Sequence, residues 1–509
     1  MAPNPNPSSQ FPYKTALALA TAVAALAALH FFYDSGKGLN PGIFAEAAKL
    51  NLIRHPAPPT VAVAPPNPLT QTTPQPGALN GIQQPGSPAK RPPISEFLMD
   101  DSGALDPFYA ELAALTRPSN GVPPQVVTIL HYGDSPTTAD LITGDVRAAL
   151  QQRFGDAGHG YLLTAKPWAW YQHRDIDIND HGWQISTAVG KGREEVYGLG
   201  GASFEGSASA GSHITLHDKT PDQAYVEIDY LAQPNGGSLT VAADGAPVKT
   251  FSTASETAHP AWLAIAIPPA TNTLDLTPAG PVRLFGETFH SISRGVLYDS
   301  LGLNGASTSA LSNGFNNAAW TAELQHTHPA LVIINYGTNE SGFGSYVDKQ
   351  YEPTLRTAIT RIRAALPNEP ILIMSPMDRG RRSGVDQIET FDTIPRIVAI
   401  QRRVAAEQNC AFFDTFNAMG GDGTMSRWYT GHPRLVAGDL IHPTPQGASI
   451  VANLFVKDLL AGYERYVKAH PASTSSLNGT SEQNGMSDQD GISDTAGTPS
   501  QATPAAPPA

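Results

Sequence analysis

Hydrophobic and polar positions change rhythm several times along the chain. Thr15 to Phe32 is an uncharged run of Ala, Leu and Val with His30 as its ionisable interruption, about the length that crosses a bilayer core. It predicts a transmembrane signal anchor over 15–33, behind a polar segment 1–14, with a cleaved signal peptide as the alternative. Residues 34–94 contain a short amphipathic stretch, Ile43 to Arg54, and are otherwise rich in Pro, Gln and Thr. Such a segment buries too little apolar surface to fold, and it predicts a disordered tether. From Ser95 the pattern becomes that of a folded α/β domain, whose first part spans 95–200. Ser95 to Thr116 reads as helical, with Asp106 as cap and Pro107 at the first position.

Val126 to Tyr132 is a β-branched, apolar run that stops at Gly133-Asp134-Ser135 and predicts a buried strand of a parallel sheet. Thr137 and Thr138 are capping candidates for a following helix that carries Leu141, Val146, Leu150 and Phe154. Residues 155–200 read as loop and are dense in aromatics: Tyr161, Trp168, Trp170, Tyr171, Trp183 and Tyr197. Two readings stay open for them, ordinary packing and a stacking surface for sugar rings. Over 201–290 the period drops to two, and Asp244-Gly245 gives a hairpin signal; short strands without helices predict a β-sandwich. Strand and helix then alternate again over 291–468, with strands near Val296–Leu301, Leu331–Tyr336, Ile371–Ser375 and Ala411–Phe413. Helices are predicted near 309–325, 351–366, 394–408 and 446–466. The fold class is therefore α/β, a parallel sheet with helices on both faces, interrupted by an inserted β-sandwich. The tail, 469–509, lacks apolar periodicity and is predicted to be disordered.

Composition narrows the function. The formal charge of -13 and the absence of Lys/Arg clusters argue against a nucleic-acid partner, since phosphate binding needs concentrated positive charge. Cys410 is the single cysteine, so neither an internal disulfide nor a thiolate-rich metal site is available, and its apolar neighbours suit a buried structural role. Histidines such as His131, His159, His173, His181, His326 and His328 lack paired ligand spacing, and neither a metal nor another cofactor is expected.

The candidate chemistry lies at strand ends, where ligands of open parallel sheets bind. Ser135 ends the first strand. A serine hydroxyl needs a base, normally a histidine held by a carboxylate, and Asp439-Leu440-Ile441-His442 supplies both on one turn before the last helix. Oxyanion donors are expected from the backbone N–H groups of Ser135 and Gly305 and the side-chain amide of Asn339. Asp134 could orient the nucleophile loop or simply form its turn.

In order, the Gly-Asp-Ser block, the Gly302–Ser307 glycine block, Gly337-Thr338-Asn339 and Asp439-x-x-His442 resemble the SGNH (GDSL-like) hydrolase superfamily. The resemblance implies a three-layer α/β/α fold, with Ser135 as nucleophile, His442 as general base and acid, Asp439 as its orienter, and Gly305 and Asn339 as oxyanion donors. Pro136 stands where the family pattern has Leu, and Glu340 follows Asn339 where it has Asp. A carbohydrate-binding-like module between the first two blocks is similar to the layout of bacterial peptidoglycan O-acetylesterases. The expectation is a membrane-anchored, extracytoplasmic (periplasmic or cell-surface) esterase that removes short acyl groups from an acetylated glycan, peptidoglycan or another polysaccharide. An O-acetyltransferase acting on a glycan and an inactive glycan-binding protein remain as alternatives.

Overall fold

In the computed structural model, residues 95–117, 125–189, 196–217, 223–384 and 387–471 are described. The predicted anchor, the tether and all but the start of the predicted tail lie outside them. Among the described residues no helix is long and apolar enough to cross a membrane.

The central sheet has six strands. In chain order they are β1 (Leu98–Met99), β2 (Val126–Gly133), β3 (Gly295–Gly302), β4 (Leu331–Asn335), β5 (Ile371–Met374) and β6 (Ala411–Phe413). They lie side by side as β1-β6-β5-β4-β2-β3. All neighbours are parallel except β1, which runs antiparallel to β6. Alternate residues serve opposite faces, as strand geometry requires. Val127, Ile129, Leu331 and Ile333 enter one hydrophobic cluster with helices α1 (Asp106–Leu115), α2 (Leu141–Phe154) and α3 (Pro445–Ala469). Leu130, Tyr132, Val332 and Ile334 enter the other, with the helices at Asn317–Thr327, Glu352–Ala365 and Thr393–Glu407.

Between β2 and β3 lie two antiparallel sheets. One joins the strands Ile176–His181, Gly211–Leu216, Ser238–Ala243, Ala246–Ser252 and Thr273–Ala279; the other contains Gln184–Thr187, Ala202–Gly206, Gln223–Ala232, His259–Ala266 and Val282–Ser291, with Gly160–Leu162 paired to the last. Ile214, Val241 and Leu276 of the first and Phe204, Ile228 and Leu284 of the second share one hydrophobic cluster. The predicted hairpin turns at Asp244 and Gly245, both with positive φ (48° and 78°), the conformation a two-residue turn between twisted strands requires.

Away from the serine turn, local readings differ from the structure in three places. Residues 155–200, expected as loop, carry the strands Gly160–Leu162, Ile176–His181 and Gln184–Thr187; short edge strands offer too little periodicity to register. Ser95 to Thr116 is not one helix, because Leu98–Met99 pairs with Phe412 and Phe413. Asp106 lies inside α1 and does not cap it, while Asp100 accepts the amides of Ala104 and Leu105 just upstream. The element expected at 309–325 breaks at Phe315, and Asn316 then caps Asn317–Thr327 by accepting the Ala319 amide.

Candidate active site

Sheet register sets the site. Gly133 at the end of β2 lies opposite both Gly302 of β3 and Asn335 of β4, so the chain leaves the sheet at one level on three adjacent strands. Ser135, Gly305 and Asn339 follow within a few residues of those ends. Gly302 permits the approach: a Cβ there would stand 2.1 Å from the Thr138 backbone nitrogen, inside any allowed contact. Gly305 has φ of +73° with open space around its Cα, so the left-handed turn, not crowding, favours glycine.

Ser135 begins a single helical turn, Ser135–Thr138, separated from α2 by Asp140 in the left-handed region. Thr137 and Thr138 therefore do not cap a long helix; the Thr138 hydroxyl donates back to the Asp134 carbonyl at 3.0 Å. Pro136 occupies the start of this turn, where a fixed φ and a missing N–H are tolerated, so its departure from the family pattern leaves the backbone path intact.

Ser135 Oγ lies 2.8 Å from His442 Nε2, and His442 Nδ1 lies 2.6 Å from Asp439 Oδ2. The other carboxylate oxygen, Oδ1, accepts the amides of Ile441 and His442 at 3.0 and 3.1 Å. Partial burial raises the Asp439 pKa, but the His442 ring and these amides outweigh it and hold the carboxyl below its usual range. An ionised Asp439 favours the tautomer with a proton on Nδ1, leaving Nε2 to accept the serine proton. The turn between them is strained: Leu440 is buried at φ of +62°. Its carbonyl accepts the Gly380 amide at 2.9 Å, and the His442 carbonyl accepts the Ala437 amide at 2.8 Å. His442 and Asp439 side chains are 42% and 44% exposed, so the base stands open to solvent.

Asn339 donates one amide hydrogen to the Ala306 carbonyl at 2.8 Å, which holds the side chain beside the Gly305 turn and leaves its second N–H to donate elsewhere. Arg379 braces the same segment through the Thr338 carbonyl and the Ser341 hydroxyl. Glu340, noted in the sequence only as a departure, is buried and accepts both the amide and the hydroxyl of Thr308. Behind the nucleophile, Asp134 is buried with Oδ2 unpartnered; burial and the nearby Glu340 carboxyl push its pKa up to about 7.

His131 is fully buried, with Nδ1 2.6 Å from the Tyr298 hydroxyl. Burial pulls its pKa down to about 4, which suits a neutral packing residue. His159 and His173 are likewise buried and held down, to about 4 and about 3, by burial and the Arg147 charge. Burial raises the Cys410 thiol to about 11, far from a reactive thiolate. Among the described residues no group of three His, Cys, Asp or Glu is arranged to hold a metal ion.

Residues 274–450 match the GDSL-like lipase/acylhydrolase family. The chain is an ester hydrolase, similar over this span to the SGNH type. The matched span holds Gly305, Asn339, Asp439 and His442, while Ser135 lies upstream of it. No curated protein matches the chain. Among solved structures, a peptidoglycan O-acetylesterase is similar at 24% identity and a TM-score of 0.62, over 72% of this chain and 99% of that one. An acetyl xylan esterase aligns at 18% identity over 32% of this chain and 80% of its own, with a TM-score of 0.25. At these identities the first likeness is one of fold, and the second has no bearing on the site.

Proposed function

We propose that this SGNH hydrolase removes O-acetyl groups from an extracytoplasmic glycan by way of an acyl-enzyme on Ser135. The observation that carries the reading is the hydrogen-bonded chain Ser135–His442–Asp439 at the carboxyl ends of adjacent parallel strands. His442 Nε2 takes the serine proton as Oγ attacks the acetyl carbonyl carbon. Negative charge on the carbonyl oxygen is met by the N–H groups of Ser135 and Gly305 and the free N–H of Asn339. As the intermediate collapses, the bond from the carbonyl carbon to the sugar oxygen breaks, and His442 returns the proton to the departing hydroxyl. Water, deprotonated by His442, then attacks the acyl-enzyme; the bond to Ser135 Oγ breaks, His442 returns the proton to Oγ, and acetate leaves.

Openness of His442 and Asp439 to solvent favours water over a sugar hydroxyl as acceptor, because transfer depends on excluding water. A glycan substrate is supported by the insertion of antiparallel sheets between the first two sequence blocks, a layout similar to peptidoglycan O-acetylesterases. The uncharged Thr15–Phe32 run and the Pro-rich segment behind it support a tether that holds the enzyme at the outer face of a membrane.

The test is acetate release from O-acetylated peptidoglycan and from other acetylated polysaccharides, with wild-type and Ser135→Ala protein, each with and without a non-acetylated acceptor glycan. Free acetate in proportion to wild-type enzyme is expected. Acetyl groups appearing on the acceptor with little free acetate would make the protein a transferase, and binding without turnover would make it a glycan-binding protein.

A further inference from the structure

The six aromatic residues of 155–200 separate into two kinds. Tyr161, Tyr171 and Tyr197 are buried, and Trp168 and Trp183 pack half-buried against the same core. Trp170 alone among them is open, 49% exposed. Scattered exposed apolar side chains are common and need no function. Trp170 differs because its indole N–H donates to Asn304 Oδ1 at 3.1 Å, on the residue immediately before Gly305.

Its backbone is also held in place. The Tyr171 amide donates to the Trp168 carbonyl at 2.9 Å, closing the turn that presents Trp170, and the Gln172 amide donates to the Thr138 carbonyl at 3.2 Å. The Tyr171 hydroxyl accepts the Leu163 amide, and the Arg174 amide donates to Asp140 Oδ2. The loop is thus held by its backbone to the turn that carries Ser135, and the indole by its N–H to the turn that carries Gly305. A cavity of about 220 Å³ is lined by Gln172 and Arg174 of this loop together with Asp145, Pro445 and Ser449.

We infer that Trp170 is a stacking platform for a pyranose ring of the substrate glycan, at the rim of the site next to the oxyanion turn. An indole whose N–H is satisfied by protein presents an apolar, electron-rich face that matches the C–H face of a sugar ring, while its position is set without loss of side-chain freedom on binding. This rests on the glycan esterase reading and names the contact that would make the substrate a polysaccharide rather than a small ester.

The experiment has two arms. In the first, Trp170→Ala and Trp170→Phe are compared with wild type on O-acetylated peptidoglycan and on an aryl acetate. Trp170→Ala should raise KM on the polymer about five- to tenfold, the scale of one lost aromatic contact, and should lower polymer kcat/KM several-fold more than aryl acetate kcat/KM. Trp170→Phe, which keeps a ring and loses the bond to Asn304, should recover most of the difference. Equal loss on both substrates would mean that Trp170 only supports the Gly305 turn, and would overturn the inference. In the second arm, Ser135→Ala protein is titrated with non-acetylated glycan strands from peptidoglycan, alone and combined with Trp170→Ala. Weaker binding in the double variant supports the platform; equal binding, or none in either protein, overturns it. Wild-type acetate release reports separately on the esterase reading, so its failure is distinguishable from loss of the platform.

Discussion

Glu340 Oε1 accepts the backbone amide and the hydroxyl of Thr308, each at 2.8 Å, and so ties the segment that carries Asn339 to the segment that carries Gly305. The two proposed oxyanion donors are thereby held at a set spacing by a residue that touches neither substrate nor serine. Glu340→Ala should lower kcat toward an aryl acetate, with KM changed little, by up to about 100-fold if the donors shift by an ångström. Glu340→Gln keeps an accepting oxygen and should recover much of the activity. Steady-state kinetics on folded protein, checked by circular dichroism, separate these outcomes; equal activity in all three proteins would remove Glu340 from the positioning of the site.

Ser135→Ala and His442→Ala should each remove nearly all hydrolysis, leaving only the ~10³–10⁴-fold that binding and the oxyanion donors supply over water. Asp439→Asn should cost less than loss of His442, because the base remains and only its tautomer and orientation suffer. Burst kinetics with an aryl ester would show whether an acyl-enzyme forms.

Asn339→Ala and Gly305→Ala test different things. The first deletes a donor and should lower kcat about 10²- to 10³-fold. The second retains its N–H and meets no atom within 4 Å, so its main effect should be a stability loss of about 1 kcal/mol from the left-handed backbone. Denaturant melts and kcat for the two proteins should therefore move in opposite proportion.

Stability should decline from neutral to alkaline pH, above the ordinary histidine range, where the gain from burying His131, His159 and His173 as neutral rings is complete and no longer offsets the carboxyls. Burial raises the carboxyl of Glu287 to about 8 and that of Asp134 to about 7, and it raises Asp229 and Glu323, which face each other, in the same direction. For each, the folded pKa exceeds the unfolded one. Their full contribution is therefore present below the ordinary carboxyl range and is lost as pH climbs through the folded values. Thermal melts from about pH 6.5 to about pH 9 should show a falling Tm, and Glu287→Gln should flatten that fall. A Tm that rises over this window would contradict the placement of these groups.

The N-terminal proposal is checked by fractionation. Full-length protein should remain with the membrane after a salt wash, and the mature N-terminus should be that of the synthesised chain. A start near residue 30 would show a cleaved signal peptide instead.

What could be read from the sequence follows from where the information is local. The strands at 126–133 and 331–335 are β-branched runs that end in Gly or Asn, and their ends place Ser135 and Asn339 without any long-range knowledge. The hairpin at Asp244-Gly245 is equally local. Leu98–Met99 was illegible as a strand because it exists only through pairing with Phe412 and Phe413, far along the chain. The same is true of Glu340, whose role depends on Thr308 lying across the site, and of Trp170, which in sequence cannot be told from its buried neighbours Tyr161 and Tyr171. Asp140, whose left-handed backbone separates the serine turn from α2, carried no signal because the apolar spacing continues across it.

The residue-by-residue pairing of β2 with β3, from Val126–Gly295 to Gly133–Gly302, holds although two whole antiparallel sheets intervene in the chain. Closure entropy grows only as the logarithm of loop length, so enlarging a crossover from a dozen residues to on the order of 150 costs roughly 2 kcal/mol. A hydrolase built this way can gain, exchange or enlarge what lies between those strands while its reacting groups keep their spacing. Variation in substrate preference among chains of this architecture should therefore concentrate between residues 155 and 294, with the chemistry carried unchanged on either side.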